Sequence, residues 1–159
     1  MTGFSISELP ASSGYIALCP MPGACQSYNL EINELIAWQP DLVVTLTQQS
    51  ELDSLGAANL PGDLIANNCD WLHLPVRDFA VPAGKTLAAW SKASAQICNT
   101  LANGGRVLVH CRGGCGRAGM AVLRILIELG EPPDRALERL RAVRKCAVET
   151  DAQMRWAMT

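Results

Sequence analysis

The sequence predicts a single α/β domain with a mostly parallel central sheet and helices on both faces. Three observations carry this expectation. Residues 42–46 (LVVTL) and 107–109 (VLV) are continuous, largely β-branched apolar runs, the pattern of strands buried on both sides. Residues 85–101 place Leu87, Trp90, Ala93, Ile97, Cys98 and Leu101 along one side at helical spacing, and Gly104 and Gly105 then return the chain to the second run. A connection of that length is a crossover between parallel strands. Finally, the second run passes through a glycine-rich turn into a nearly unbroken apolar segment, 120–129, long enough for a buried helix.

The other elements follow in order along 159 residues, a length suited to one domain with a good core. Residues 1–14 are polar and punctuated by Pro10 and Gly14, which predicts a coil or a short edge hairpin. A strand over 15–18 is stopped by Pro20, Pro22 and Gly23. Ile32, Leu35 and Ile36 predict a helix over 29–38 that ends before Pro40. Beyond the interior strand at 42–46, a short helix starts at Ser50, Glu51 and Leu52 and ends at Gly56, with another turn or two over 60–66. Residues 71–74 read as the next strand, whose His73 is expected to be satisfied by a hydrogen bond, and 75–82 (PVRDFAVP) as a loop. Pro132, Pro133 and Asp134 restart the chain, and Ala136, Leu137, Leu140 and Val143 mark an amphipathic helix. A last helix runs from Thr150 toward Met158.

Composition narrows the function classes. A formal net charge of −2 argues against a nucleic-acid coat. No stretch reaches membrane-spanning length, and the first residues lack the basic start and apolar core of a signal peptide, so a cytoplasmic protein without membrane insertion is expected. The seven cysteines form an odd set without a regular framework, which predicts reduced thiols rather than disulfides. Cys19/Cys25 and Cys111/Cys115 lack C-x2-C partners, so no metal is implied. The charge is uneven: Arg106, Arg112, Arg117 and Arg124 are expected around the glycine-rich turn, and five more basic residues lie between 135 and 145.

That turn carries the chemistry. In VLVHCRGGCGRAG, 107–119, a strand, a tight loop and a helix start bring unpaired backbone N–H groups and the positive helix end to one point. Gly113, Gly114 and Gly116 let the backbone curl around bound oxygens. Arg117 closes the cradle with a planar, permanently charged fork. Cys111 stands at its floor in surroundings that favour the thiolate, the nucleophilic form, so attack on phosphorus is the chemistry expected. A nucleotide-binding loop fits worse, because Arg117 ends the turn where Lys and then Ser or Thr are needed.

His110-Cys111-x5-Arg117 resembles the signature of the cysteine-dependent protein tyrosine phosphatases. In the form HCRGGCGRAG it is most similar to the dual-specificity branch, and within it to the kinase-associated, or cyclin-dependent kinase inhibitor, phosphatase group; LCPMPG at 18–23 extends the likeness. The resemblance implies a phosphatase-like doubly wound domain acting through a phosphocysteine intermediate, without metal or organic cofactor. It implies that Arg112, Gly113, Gly114, Cys115, Gly116 and Arg117 bind phosphate, with His110 tuning the nucleophile from behind. A leaving oxygen needs a proton, and its donor must then take one from water in the hydrolytic step; Asp78 is the one acid in the 75–82 loop and resembles the family's general acid, while a turn-capping role is the alternative. Arg77 and Phe79 are candidates to frame the substrate, with Arg77 equally read as a solvated surface residue. Asp70 precedes its strand and belongs at the far end. AVETDAQ, 147–153, resembles the segment whose Gln places the hydrolytic water, so Gln153 joins the candidates; Thr150-x-x-Gln153 is equally a capping box with Thr150 as N-cap.

Two positions depart from the family pattern. Ala118 replaces a Ser or Thr whose hydroxyl supports the departing thiolate, which threatens turnover. Cys115 stands where an apolar side chain is common, and either packs as a small hydrophobe or captures oxidised Cys111. The function expected is hydrolysis of phosphotyrosine on a protein partner such as a kinase, with phosphoserine and phosphothreonine as further substrates. The alternatives are a phosphoinositide or other non-protein phosphatase, a phosphate-recognition module with impaired turnover, and a thiol redox protein built on Cys111 and Cys115.

Overall fold

Five strands form one sheet in the order β1-β2-β5-β3-β4 in the computed structural model, which describes residues 3–159. β1 (Ser7–Ala11) and β2 (Gly14–Pro20) make an antiparallel hairpin at one edge, the hairpin form of the peripheral segment expected from the sequence. β2, β3 (Leu42–Thr45), β4 (Asp70–His73) and β5 (Arg106–Cys111) are all parallel where they pair. The expected mostly parallel sheet with helices on both faces is therefore present.

The order of the strands fixes where the helices go. From β2 the chain passes through α1 (Tyr28–Ala37) to β3, then through α2 (Gln49–Ser54) and α3 (Leu60–Ala66) to β4, moving always in one direction. It then turns back through α4 (Gly84–Ala102) to insert β5 between β2 and β3. Right-handed crossovers running in opposite directions put their helices on opposite faces. Accordingly, Leu35, Leu52 and Leu64 of α1–α3 pack with Val43 and Leu108 on one face. Trp90 and Ile97 of α4 pack on the other with Val44, Val107 and Val109. That second face also receives α5 (Gly116–Glu128), α6 (Pro133–Val143) and α7 (Asp151–Met158). The reversal makes a crevice at the carboxyl ends of the parallel strands, where open α/β sheets bind ligands. Cys111 closes β5 at that crevice.

Several boundaries differ from the sequence expectation for clear reasons. α5 starts at Gly116 rather than Met120, so Arg117 and Ala118 belong to its first turn. Leu87 and Val143 stand on apolar stripes yet are 50% and 41% exposed. Helical spacing identifies a stripe but not its width, and both residues lie at its margin. His73 Nε2 bonds the Thr47 carbonyl at 2.8 Å, the satisfied strand histidine expected.

Candidate active site

Cys111 is almost fully buried at the crevice floor, and the Ala118 N–H donates to its Sγ at 3.4 Å. The loop between them is held by its carbonyls. The Arg112 carbonyl accepts from the Met21 N–H at 3.1 Å. Arg144 donates from Nη2 to the Gly113 carbonyl at 3.1 Å and from Nε to the Gly114 carbonyl at 3.0 Å. The Cys115 carbonyl accepts from the N–H groups of Gly119 (2.8 Å) and Val148 (3.2 Å). In a planar trans peptide the carbonyl of one residue and the N–H of the next point in opposite directions. Four carbonyls tied outside thus turn the N–H groups of Gly113, Gly114, Cys115 and Gly116 inward. N–H groups turned toward one point are the geometry that an anion would need. Gly114 has φ +72°, and a Cβ there would lie 2.5 Å from the Cys19 carbonyl carbon, so both conformation and space demand glycine.

Arg117 is a buried cation. Its Nη1 and Nη2 donate to the two Glu51 carboxylate oxygens at 2.8 and 2.9 Å, and Nη1 also donates to the Val76 carbonyl at 2.9 Å. The fork-on-fork geometry fixes the guanidinium plane. Burial pulls the basicity of Arg117 down, but the Glu51 bonds and the charges of Cys111, Glu51 and Asp78 outweigh it, leaving the pKa above its ordinary value. Burial likewise raises the Glu51 pKa, and the Arg117 and Gln48 hydrogen bonds carry it back below the usual carboxylate range. The Arg117 Nε is buried without a partner among the described residues. Sequence reasoning placed Glu51 only as a helix start. The signal for more was its position: an acid in the first turn after an interior strand's carboxyl end lies at the crevice by topology.

Asp78 is about half exposed on the loop after β4, with Oδ1 3.3 Å from Arg117 Nη2. The same oxygen accepts the Phe79 N–H at 3.0 Å, so Asp78 caps its turn as well as facing the cradle. Phe79 adopts φ +64° and exposes its ring at the cleft mouth, whereas Arg77 points to solvent away from the cleft lining. Thr150 and Gln153 form the expected capping box: Thr150 Oγ1 accepts from the Gln153 N–H, and Gln153 Oε1 accepts from the Thr150 N–H. Gln153 Oε1 also accepts from the Glu149 N–H, and Nε2 donates to the Ala80 carbonyl at 3.1 Å. This buried amide therefore ties the start of α7 to the Asp78 loop. Asp70 lies at the opposite end of β4, as expected.

Behind the nucleophile, His110 Nε2 lies 2.7 Å from Thr45 Oγ1, which also accepts from Trp71 Nε1 at 2.7 Å. His110 Nδ1 faces the Cys111 carbonyl at 3.4 Å. A proton on Nδ1 satisfies the arrangement: Trp71 donates to Thr45, Thr45 donates to Nε2, and Nδ1 donates toward Cys111. Burial pushes the His110 pKa down to about 4, keeping the imidazole neutral.

The cysteines and the basic residues require corrections. Cys115 is joined to Cys146 in a disulfide, so it is neither a free packing thiol nor bonded to Cys111, and the expectation of a fully reduced set is overturned. The bonding partner lies 31 residues away, a distance at which sequence spacing says nothing about contact. Of the four arginines expected around the loop, Arg112 and Arg117 are there. Arg106 stacks on Trp38 at the far end of β5, and Arg124 pairs with Glu128 and lies over Trp156. Arg144 and Lys145 supply the missing charge at the cleft. The resulting cleft, about 990 Å³, has Cys111 and Arg112 at its base and Asp78, Phe79, Lys145 and Glu149 around it.

Comparison with known proteins places this architecture. The model of the Swiss Army Knife protein family with a DSP-PTPase phosphatase domain (PTP-SAK) matches residues 20–157. The chain belongs to this family. It is thus a cysteine-based phosphatase of the dual-specificity and protein tyrosine phosphatase class. Protein tyrosine phosphatase type IVA 3 of Homo sapiens is 38% identical over 82 residues, which are 51% of this chain. The match spans 44% of that relative, less than half its length. The crystal structure of kinase associated phosphatase (KAP), with a serine in place of its catalytic cysteine, superposes with a TM-score of 0.85 at 22% identity. It covers 99% of this chain and 93% of that one. PTPMT1 in complex with PI(5)P superposes at 0.74 with 20% identity, covering 95% and 92%. At those identities the two structures show that this PTP-SAK member shares their fold.

Proposed function

We propose that this PTP-SAK phosphatase hydrolyses phosphate monoesters on proteins, phosphotyrosine first among them, through a phosphocysteine at Cys111. The observation that carries the proposal is the cradle itself: between Cys111 and Arg117 the loop carbonyls are tied outside, which turns four N–H groups inward, and the Ala118 N–H donates to the Cys111 sulfur. Donors fixed before the substrate arrives stabilise charge on the equatorial oxygens without reorganisation. The Cys111 thiolate attacks phosphorus as the ester oxygen leaves, and Asp78 protonates that oxygen. Water then attacks phosphorus and gives a proton to the Asp78 carboxylate, the S–P electron pair returns to sulfur, and inorganic phosphate departs. His110 orients the Cys111 backbone through its neutral ring, and Glu51 holds Arg117 in plane. Gln153, engaged at both ends of its amide, acts by positioning the Asp78 loop.

A second reading, a phosphoinositide phosphatase, is favoured by Arg112 and Lys145 beside the phosphate loop and by the likeness to a structure holding PI(5)P. The exposed Phe79 ring at the mouth favours an aryl ester and hence the protein reading. A kinase is a fitting protein partner, in keeping with the name of the KAP relative. The redox alternative loses support because Cys115 is committed to Cys146. Hydrolysis of nitrophenyl phosphate, abolished by Cys111→Ser, tests the enzyme. Parallel rates on phosphotyrosine peptide, phosphothreonine peptide and inositol phosphates test the substrate class, with the phosphotyrosine peptide expected to lead.

A further inference from the structure

Three of the four residues whose N–H groups turn into the cradle, Gly113, Gly114 and Gly116, are of the type that most readily leaves a given backbone conformation. Cys115 is the fourth, and it alone has a side chain by which the run can be held. That side chain is bonded to Cys146. Every second residue of 144–148 in fact reaches the loop. Arg144 binds the Gly113 and Gly114 carbonyls, Cys146 carries the disulfide, and the Val148 N–H donates to the Cys115 carbonyl. The segment is neither helix nor strand, and Val148 stands at φ +68°, which a β-branched residue adopts only under outside constraint. Arg141 braces it through the Ala147 and Val148 carbonyls, and the disulfide is its covalent anchor.

The same bond is open to chemistry. Cys146 is exposed, Cys115 is half-buried, and both line the cleft that holds Cys111. Exposed disulfides are the labile, regulatory kind, whereas purely structural ones resist reduction. All other cysteines are free, so the disulfide found among the described residues is the one that fastens the phosphate loop.

We infer that Cys115–Cys146 is a reversible thiol–disulfide switch on the phosphatase site, with tight phosphate binding in the oxidised form and weak binding in the reduced form. The inference rests on the phosphatase reading above and names the regulation of that site. Its co-reactant is a dithiol. One thiolate of the dithiol attacks Cys146 Sγ, the exposed sulfur; the S–S bond breaks, and its electron pair leaves on Cys115, which takes a proton from solvent. The second thiolate attacks the mixed disulfide and frees Cys146, which is protonated in turn, while the reductant departs as its own disulfide. Two electrons pass to the protein. Cys111 takes no part and stays the nucleophile in both forms. Once Cys115 is released, the glycine run is held by its carbonyl bonds alone, and its N–H groups no longer converge before the anion arrives.

Calorimetric titration of the whole chain with inorganic phosphate reads the switch without needing turnover. Peptide mapping first fixes the Cys115–Cys146 crosslink with Cys111 free. Dithiothreitol should open it in the folded protein and weaken phosphate binding by about tenfold, the order of one charged hydrogen bond. Replacing the reductant with oxidised glutathione should restore tight binding. Cys146→Ser should bind phosphate as weakly as reduced wild type and ignore dithiothreitol; reduced wild type alone serves if that variant does not fold. By reciprocity, saturating phosphate should make the reduction potential of the disulfide more negative by about 30 mV, a tenfold ratio in a two-electron couple. A bond that only stabilises the fold would show no such shift. Equal phosphate affinity in the two forms overturns the switch, as does a crosslink that is missing or opens only in urea. A binding difference without hydrolysis of nitrophenyl phosphate by either form overturns the phosphatase reading instead.

Discussion

Ala118 is the residue on which turnover should hinge. It is fully buried and offers Cys111 a backbone N–H at 3.4 Å but no hydroxyl. In the first step the thiolate charge is consumed in the S–P bond; in the second it returns to sulfur. A hydroxyl there would favour the second transition state over the first, a difference between states and not uniform binding. One hydrogen bond to a charged group is worth about 1.5–3 kcal/mol, or roughly one to two decades of rate. Ala118→Ser should raise the steady rate accordingly while leaving the burst nearly unchanged, and stopped-flow release of nitrophenol checks both. Asp78 belongs to the opposite step. Asp78→Ala should slow phosphopeptide cleavage by about 10²–10⁴-fold and nitrophenyl phosphate cleavage far less, because nitrophenolate needs little protonation. Equal small losses on both substrates would remove Asp78 from the role of acid.

At the scale of elements, the loop between β5 and α5 is shaped from outside by the segment that follows α6. Arg144 binds the Gly113 and Gly114 carbonyls and also reaches Ser5 and Ser7, so one side chain clamps the cradle to the β1 edge. Arg144→Met should free those peptides to rotate and weaken competitive inhibition by inorganic phosphate by about tenfold, the order of one charged hydrogen bond. The neighbouring disulfide closes a loop of 31 residues in sequence separation, for which chain entropy predicts about 3–4 kcal/mol of stability. Urea unfolding of Cys146→Ser against oxidised wild type measures it, and an unchanged midpoint would contradict the loop-entropy account. These contacts mark the limit of what the sequence made legible. Strands, crossover helix, Cys111, Arg117 and the Thr150–Gln153 cap all follow from local patterns: period, glycine spacing and a short capping motif. Glu51, Arg144 and Cys146 act across distant parts of the chain. Their side chains carry no periodic signature, and only the folded topology brings them together.

On the scale of the whole molecule, the sheet buries a titratable group directly behind its nucleophile. β3 and β5 pair Thr45 with His110, and both side chains point to the face covered by α1–α3, beside Trp71 from β4. Alternation sends the next residue, Cys111, to the opposite face and the crevice. The fold therefore needs a neutral imidazole in its centre, and burial lowers the His110 pKa from its ordinary 6.5 to about 4. Linkage then fixes the sign. Between these two values the unfolded chain binds a proton that the folded protein does not, so stability must fall as pH drops through this window. Above about pH 7 neither state holds that proton and the contribution is flat. Each pKa unit corresponds to about 1.4 kcal/mol, which makes about 3 kcal/mol an upper figure for His110 across the window. Glu51 and Glu128, whose pKa values are lowered, act in the same direction but later: their stabilisation is present above the ordinary carboxylate value and is lost as pH falls through the folded ones. Acid should thus lower the stability over two ranges, a histidine range from about pH 6.5 to 4 and a carboxylate range below it. Urea unfolding free energies at half-unit intervals from pH 8 to 4 should be level down to about pH 7 and then decline, with His110→Asn removing the upper part of the slope. A wild-type profile that stays level between pH 6.5 and 4.5 would mean that the imidazole is not held neutral behind Cys111.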